Sequence, residues 1–378
     1  MDAQYRIRMA IAHDALVYRG GAERVVSAWL TRWPNVPVYT SCYLPDETYD
    51  AFKHADVRVS FMQKMANDPN VVMRRLFPLM VPGFWSFDLS GYDLVLSSAA
   101  YAAKNIRVPK SVCHICYCYS PLRLAWRPGD YLSPRTNQLK RFVLLALSAV
   151  LRRWDYQVAQ KVDYFATTCQ NVAQRIQKAY HRTAEVIHAP IDFSRYQMQA
   201  EPENYFLVVS RLFEYKRVDL AIQAAKRLKR RLIIVGEGPQ RPKLEHMAEG
   251  SNAQIAFLGY VPEEELLHLY AGCQALIFPQ EEDYGLTPLE VQASGRPVIA
   301  YEAGGALETI IDGETGVFFR EQTVESLIEG LQSVESLRFD PMRARQNAMR
   351  FDIEPFCDKI ESFMQTKLRD FRNLRDVK

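Results

Sequence analysis

Residues 275–300 read ALIFPQEEDYGLTPLEVQASGRPVIA. An apolar run, Ala275–Phe278, is followed by an acidic loop containing Gly285. A helical stretch then starts at a proline, ends at Gly295 and leads into a second apolar run, Pro297–Ala300. Strand, helix and strand in so short a span is the pattern of a parallel crossover. The same alternation extends in both directions. The first half predicts strands at Met9–His13, Pro37–Cys42, Val57–Ser60, Leu94–Ser98, Val112–Tyr119, Tyr164–Thr167 and Ala184–His188. The second half adds Tyr205–Val209, Leu232–Val235, Gln254–Leu258 and Gly316–Phe319, with helical stretches such as Asp219–Leu228 and Pro262–Ala271 between strands. Several runs lack polar alternation, as strands covered on both faces do. Two successive sets predict an α/β architecture of two doubly wound domains, 1–195 and 196–354, joined through Ile191–Asn204. The tail, 355–378, reads as one amphipathic helix. Open parallel sheets bind ligands beyond the carboxyl ends of their strands. Two such domains facing each other would place a site in the cleft between them.

The chain has 378 residues, 48% of them hydrophobic and 24% charged, which excludes a disordered or collagen-like chain. No apolar run reaches the ~18–20 residues of a spanning helix. The N-terminus, MDAQYRIRMAIAHD, is charged and then strand-like, so no signal peptide is expected. Seven cysteines, an odd number, read as reduced thiols and predict a cytoplasmic protein. Cys116 and Cys118 share one strand face and Cys113 faces away, which favours core packing over a metal site.

The net charge of +3 divides unevenly. Residues 1–195 hold 25 Lys and Arg against 15 Asp and Glu, and residues 196–378 hold 22 against 29. For the basic half the candidate partners are nucleic acid and an anionic membrane surface. No recognition fold or aromatic stacking motif accompanies the charge, so nucleic acid is not expected. Residues 137–153, NQLKRFVLLALSAVLRR, place the uncharged run Phe142–Leu151 between Lys140-Arg141 and Arg152-Arg153. That run is too short to span a bilayer but suits an anionic interface, which predicts peripheral contact with the inner face of the plasma membrane.

Three motifs carry chemistry, each directly after a strand. In Glu282–Glu290 one carboxylate lies in the loop and the other in the first turns of the helix. The N–H groups around Gly285 form an anion site at a helix start. Two carboxylates flanking an anion site suit a ligand with hydroxyls at both ends and phosphate between them, which describes a nucleotide sugar. In SRLFEYKRVD, Ser210–Asp219, Arg211 and Lys216 can converge on a diphosphate, the first as a fork and the second as a point charge. No acidic pair is spaced to hold Mg²⁺, so these cations take its place and no metal or other cofactor is expected. In HDALVYRGGAER, His13–Arg24, the Gly20-Gly21 pair before a helix makes a phosphate-approach loop, without the G-x-G-x-x-G of dinucleotide enzymes.

These motifs, in this order, resemble the retaining glycosyltransferases of family 4, whose GT-B fold sets two Rossmann-like domains across a cleft. The resemblance covers nearly the whole chain. It includes GGAERV, SRLFEYKRVD, the IVGEGP turn at Ile234–Pro239, FLGYVPEEEL at Phe257–Leu266, and the glutamate pair running into EVQASGRPVIA. HICYCYSPLRLAW, His114–Trp126, looks like the O-antigen and exopolysaccharide mannosyltransferase subgroup. The resemblance implies that Arg211 and Lys216 neutralise the donor diphosphate and that Glu282 touches the transferred sugar. It puts Glu290 on ribose hydroxyls, with the amides of Tyr284, Gly285 and Leu286 near sugar or phosphate. Gly236 belongs to the IVGEGP turn of the donor site, and Gly259, Tyr260 and Val261 line the base. Gly20-Gly21 closes over phosphate from the other domain, and the final helix crosses back to the first domain.

The sequence departs from the pattern twice. Tyr119 stands where the subgroup has a histidine before Ser-Pro, and Ala100 stands where the family has one in SSAAYAAK. His13 and His114 remain without an assigned catalytic role. The reading is a metal-independent, retaining hexosyltransferase that uses GDP-mannose or UDP-glucose and a growing, lipid-linked glycan acceptor. Two alternatives stand beside it. A nucleotide-sugar epimerase of the same fold would release free sugar and free nucleotide together. A non-catalytic nucleotide-sugar-binding subunit would bind donor without turnover.

Overall fold

The computed structural model describes residues 7–66, 68–132, 137–250 and 252–376. The chain divides into two compact units. One runs to Ala189 and resumes at Phe356, and the other spans Pro190–Pro355. The first unit holds strands β1 (Met9–His13), β2 (Val38–Thr40), β3 (Val57–Val59), β4 (Leu94–Ala99), β5 (Cys113–Cys118), β6 (Tyr164–Thr167) and β7 (Ala184–Val186). They form one seven-stranded sheet in the order β3-β2-β1-β4-β5-β6-β7. The second unit holds β8 (Phe206–Val209), β9 (Leu232–Val235), β10 (Ile255–Gly259), β11 (Ala275–Phe278), β12 (Val298–Tyr301) and β13 (Gly316–Phe319). Its six strands are ordered β10-β9-β8-β11-β12-β13. Every pairing in both sheets is parallel.

Both units are therefore doubly wound and Rossmann-like. In each the strand order reverses beside the first strand, between β1 and β4 and between β8 and β11, and ligands enter such sheets there. All residues of β1, β4 and β5 are buried, because helices cover both faces of the sheet. In the second unit, Ile234, Ile277 and Ile299 from the strands pack with Ile222 of the helix Val218–Leu228 and Leu327 of the helix Val324–Ser336. Each such side chain removed from water contributes about 1.5–3 kcal/mol.

Expected strands differ from observed ones only at their ends. Val112–Tyr119 is shortened to Cys113–Cys118 and Pro37–Cys42 to Val38–Thr40. Beyond Thr40 contact with the segment after β1 goes on irregularly, through Ser41 N to Asp14 O at 3.4 Å and an isolated parallel bridge between Leu16 and Tyr43. The second unit begins at Pro190 instead of 196. The Ile191 amide donates to Phe351 O at 2.9 Å and the Phe193 amide to Asp352 Oδ1 at 3.0 Å, so the stretch read as a joint is already tied to the second unit. The helix Ile353–Asp376 carries the chain back to the first unit. There Phe356 meets Tyr117 edge-on at 6.0 Å, and Cys357 Sγ donates to Ala28 O at 3.4 Å. All seven cysteines are buried thiols, with no disulfide among them.

Candidate donor site

In the second unit two loops leave adjacent strands where the order reverses. The loop after β8 carries Arg211 and Lys216, and the loop after β11 carries Glu282, Tyr284, Gly285 and Leu286. Lys216 closes a 3-10 turn, Glu214–Lys216, and its side chain is only 9% exposed. Its ammonium makes an ion pair with the Glu282 carboxylate. The two residues read as phosphate and sugar contacts are thus brought together and pair with each other. Arg211 is exposed and lies with its guanidinium 5.5 Å from the centre of the Phe213 ring. Among the described residues it has no carboxylate partner, so its charge is available to an anion.

The backbone beneath these loops explains several of the glycines. Gly236 has φ +125°, and a Cβ there would lie 2.0 Å from Ser210 O. Its amide donates to Gly259 O at 2.7 Å. The turn after β9 therefore presses on the loop carrying Arg211 and fixes it, so Gly236 and Gly259 act at least as supports of that loop. Gly305 does the same for the other loop. Its amide donates to Glu282 O at 3.0 Å, and a Cβ on it would lie 2.3 Å from Tyr284 Cα. Glu290 sits in the seven-residue helix Thr287–Ala293 and is buried, and Tyr270 donates its hydroxyl to Glu290 Oε2 at 2.7 Å. This orients the carboxylate. Tyr284 and Val261 are buried and Tyr260 is 80% exposed, an aromatic face open to a planar ligand.

In the first unit the corresponding loops leave β1 and β4. His13 Nδ1 lies 2.9 Å from Ser98 Oγ, and the same hydroxyl lies 2.8 Å from Tyr119 Oη. His13 Nε2 faces Glu23 Oε1 at 3.7 Å. Glu23 folds over the Gly20-Gly21 turn, since a Cβ at Gly20 would meet Glu23 Oε2 at 2.5 Å. Tyr119 also donates to Ala22 O at 3.2 Å, and burial pushes its hydroxyl pKa well up. The tyrosine in the histidine position is therefore a neutral strut beneath the Gly-Gly turn. At the other departure, Asp14 Oδ2 accepts from the amides of Ala100 and Tyr101 at 2.8 and 2.9 Å, and Oδ1 from those of Ala102 and Ala103 at 2.7 and 2.6 Å. One carboxylate thus fixes the whole turn around Ala100. His114 lies within β5, its Nε2 2.9 Å from Ser97 Oγ, and is buried away from these loops.

The sequence of this second-unit site matches a known family model. Residues 192–351 match the description "Glycosyl transferases group 1". That match makes residues 192–351 similar to a glycosyltransferase group 1 domain. Among curated relatives, the chain is 29% identical over 217 residues to a GDP-mannose-dependent alpha-(1-6)-phosphatidylinositol monomannoside mannosyltransferase of Mycolicibacterium smegmatis, covering 50% of this chain and 56% of that protein. It is 32% identical over 180 residues to a glycogen synthase of Pseudomonas aeruginosa, covering 44% of this chain and 34% of the relative. The matches thus span about a third to just over half of these relatives' lengths. Among solved structures, a sucrose-phosphate synthase from Thermosynechococcus elongatus superposes with a TM-score of 0.74 at 16% identity, over 95% of this chain and 98% of that one. Anabaena HepE in complex with UDP-glucose gives 0.66 at 18% identity, over 95% and 99%. The fold is GT-B.

Arg211, Lys216, Gly236, Gly259, Tyr260, Val261, Glu282, Tyr284, Gly285, Leu286 and Glu290 all lie inside the matched residues 192–351, whereas Gly20 and Gly21 lie outside them. Sequence reading missed three supports. Asp14 was legible only as the polar residue after a strand. Gly304-Gly305 was legible as a second Gly-Gly pair following a strand, the signal that had drawn attention to Gly20-Gly21. Tyr270, on the helix Glu263–Gly272, gave no sign that its hydroxyl reaches Glu290.

Proposed function

We propose that the chain is a metal-independent, retaining glycosyltransferase of family 4 that moves a hexose from a nucleoside diphosphate to a hydroxyl of a growing, lipid-linked glycan. The observation that carries this reading is the meeting of Lys216 and Glu282 where the strand order of the group 1 domain reverses, with Glu290 held in a fixed orientation. A donor diphosphate replaces Glu282 as the partner of Lys216, and Arg211 adds a second positive charge. The released Glu282 carboxylate then accepts a hydroxyl of the sugar, and Glu290 accepts ribose hydroxyls.

In transfer, the bond from the anomeric carbon to the phosphate oxygen breaks and a bond to the acceptor oxygen forms on the same face. The acceptor proton passes to the departing diphosphate oxygen. Arg211 and Lys216 lower the barrier by stabilising the negative charge that develops there. No side chain is needed as a covalent nucleophile. GDP-mannose and UDP-glucose are the donors favoured. The first appears in the name of the Mycolicibacterium relative, and the second is bound in the HepE structure. The same relative is named for a lipid-linked acceptor, phosphatidylinositol monomannoside. This supports a lipid-linked glycan acceptor and a cytoplasmic enzyme working beside the membrane.

Arg211→Ala and Lys216→Ala should each cost about 2–4 kcal/mol of transition-state stabilisation, a loss of about 30- to 1,000-fold in kcat/KM, with the thermal midpoint little changed. Turnover measured in excess chelator should equal that without it. Wild-type turnover in both variants, or a strict demand for Mg²⁺ or Mn²⁺, would overturn the reading.

A further inference from the structure

The helix Gln138–Ala159 is apolar on the side that faces solvent. Its 22 residues make about 33 Å of helix, whereas the strands it links, β5 and β6, contain six and four residues, about 20 and 13 Å. A parallel crossover runs antiparallel to its strands. The helix ends close to the start of β6, so its excess length carries its first half past the carboxyl edge of the sheet. Burial follows this geometry: Ser148, Asp155, Val158 and Ala159 are buried, and no residue before Ser148 is. In the first half, Leu139 is 68% exposed, Phe142 71%, Val143 55% and Val150 68%. With Ala146 and Ala149 they recur at three- and four-residue intervals opposite Ser148 and Asp155. The usual arrangement of a surface helix is thus inverted. Lys140, Arg141 and Arg153 are exposed and bracket the stripe.

The exposure extends to a neighbouring segment at the same edge of the sheet. Trp154 lies 6.5 Å from Tyr101, which follows β4, and Tyr101 stacks on Phe77 at 3.8 Å. Around Phe77, Met73 and Leu79 are exposed, and so is Arg75. We propose that this face of the first unit docks on an anionic lipid bilayer, with the first half of the helix lying in the interface. The charges say which occupant it takes: three exposed cations border the apolar stripe, in a half of the chain that holds 25 basic against 15 acidic residues. A bilayer needs no matching surface, because insertion of apolar side chains and attraction of cations add together. The proposal concerns a different unit from the donor site and stands independently of the chemistry assigned there.

The test is flotation of the full chain with vesicles of phosphatidylglycerol and phosphatidylcholine, or of phosphatidylcholine alone, at low salt. Binding to the anionic vesicles should exceed binding to the neutral ones by about tenfold or more and fall in high salt. Leu139→Ser with Phe142→Ser should lower it several-fold, and so should Lys140→Gln, Arg141→Gln and Arg153→Gln together, while circular dichroism and the thermal midpoint stay at wild-type values. Equal flotation with both vesicle types, or undiminished binding by both variants, would overturn the proposal. So would a concentration-dependent dimer that the Leu139→Ser, Phe142→Ser change dissolves, since the face would then belong to a second copy of the chain.

Discussion

Lys216 illustrates how a residue's surroundings decide its use. A lysine in a loop is ordinarily solvated, but this one is nearly buried and held against Glu282, so an anionic ligand proposed to bind there would exchange one anionic partner for another. On the proposed reading, a diphosphate is preferred over a smaller anion, because a ligand reaching both Lys216 and Arg211 offsets the broken pair. His114 is a different case. It is a histidine near a motif with no assigned role, and in the structure it is a buried ring whose burial lowers its pKa to about 4. Between pH 6.5 and pH 4 the unfolded chain takes up a proton there that the folded chain does not. Stability supplied by this group is complete above pH 6.5 and falls with pH down to about 4, by up to about 3 kcal/mol. Denaturant midpoints measured from pH 7 to pH 4.5 should fall less steeply for His114→Gln than for wild type. Parallel slopes would show that the ring is not held neutral by the fold.

Elements were the most legible part of the sequence. The buried strands are runs of β-branched, aromatic and small residues, and all thirteen expected strands are present in the two sheets. Their ends were less legible, because pairing thins out gradually: beyond Thr40 it goes on only through Ser41 N to Asp14 O and an isolated bridge between Leu16 and Tyr43. The helix Gln138–Ala159 was legible as apolar with basic ends, but nothing local could show which of its faces the protein covers. Its second half is anchored by a contact distant in sequence. Asp155 pairs with Lys104 at 2.5 Å, with both side chains at most 1% exposed, and also accepts from Tyr180 Oη at 2.7 Å and Trp126 Nε1 at 2.8 Å. Burial acts to lower the Lys104 pKa, but Tyr180 and Asp155 outweigh it and the net shift is well upward. Removing the carboxylate strands an ammonium in the core, so Asp155→Leu should cost about 3–5 kcal/mol in equilibrium unfolding. The double variant Lys104→Met, Asp155→Leu should recover most of that loss. An Asp155→Leu protein as stable as wild type would show that the pair anchors nothing.

Across the whole molecule, two sheets of the same winding divide the work unevenly. The six-stranded unit carries Arg211, Lys216 and Glu282 on loops where its strand order reverses, and Glu290 on the helix that follows one of them. The seven-stranded unit gathers His13, Glu23, Ser98 and Tyr119 at its equivalent position. The residues of the first group were legible because charged side chains directly after buried strands stand out. The network of the second group was not, because its members lie far apart in sequence and meet only when β1, β4 and β5 pair. The second unit is proposed to take a nucleotide sugar through Lys216. The most direct measurement is the thermal midpoint of the full chain against a panel of nucleoside diphosphates and nucleotide sugars, for wild type and Lys216→Ala. Binding to the native state raises the midpoint, by about 2.7 kcal/mol of stability at a hundredfold excess over Kd. A rise with GDP-mannose or UDP-glucose, lost in Lys216→Ala, is the result expected. No rise with any member of the panel at millimolar concentration, or an equal rise in the variant, would contradict it.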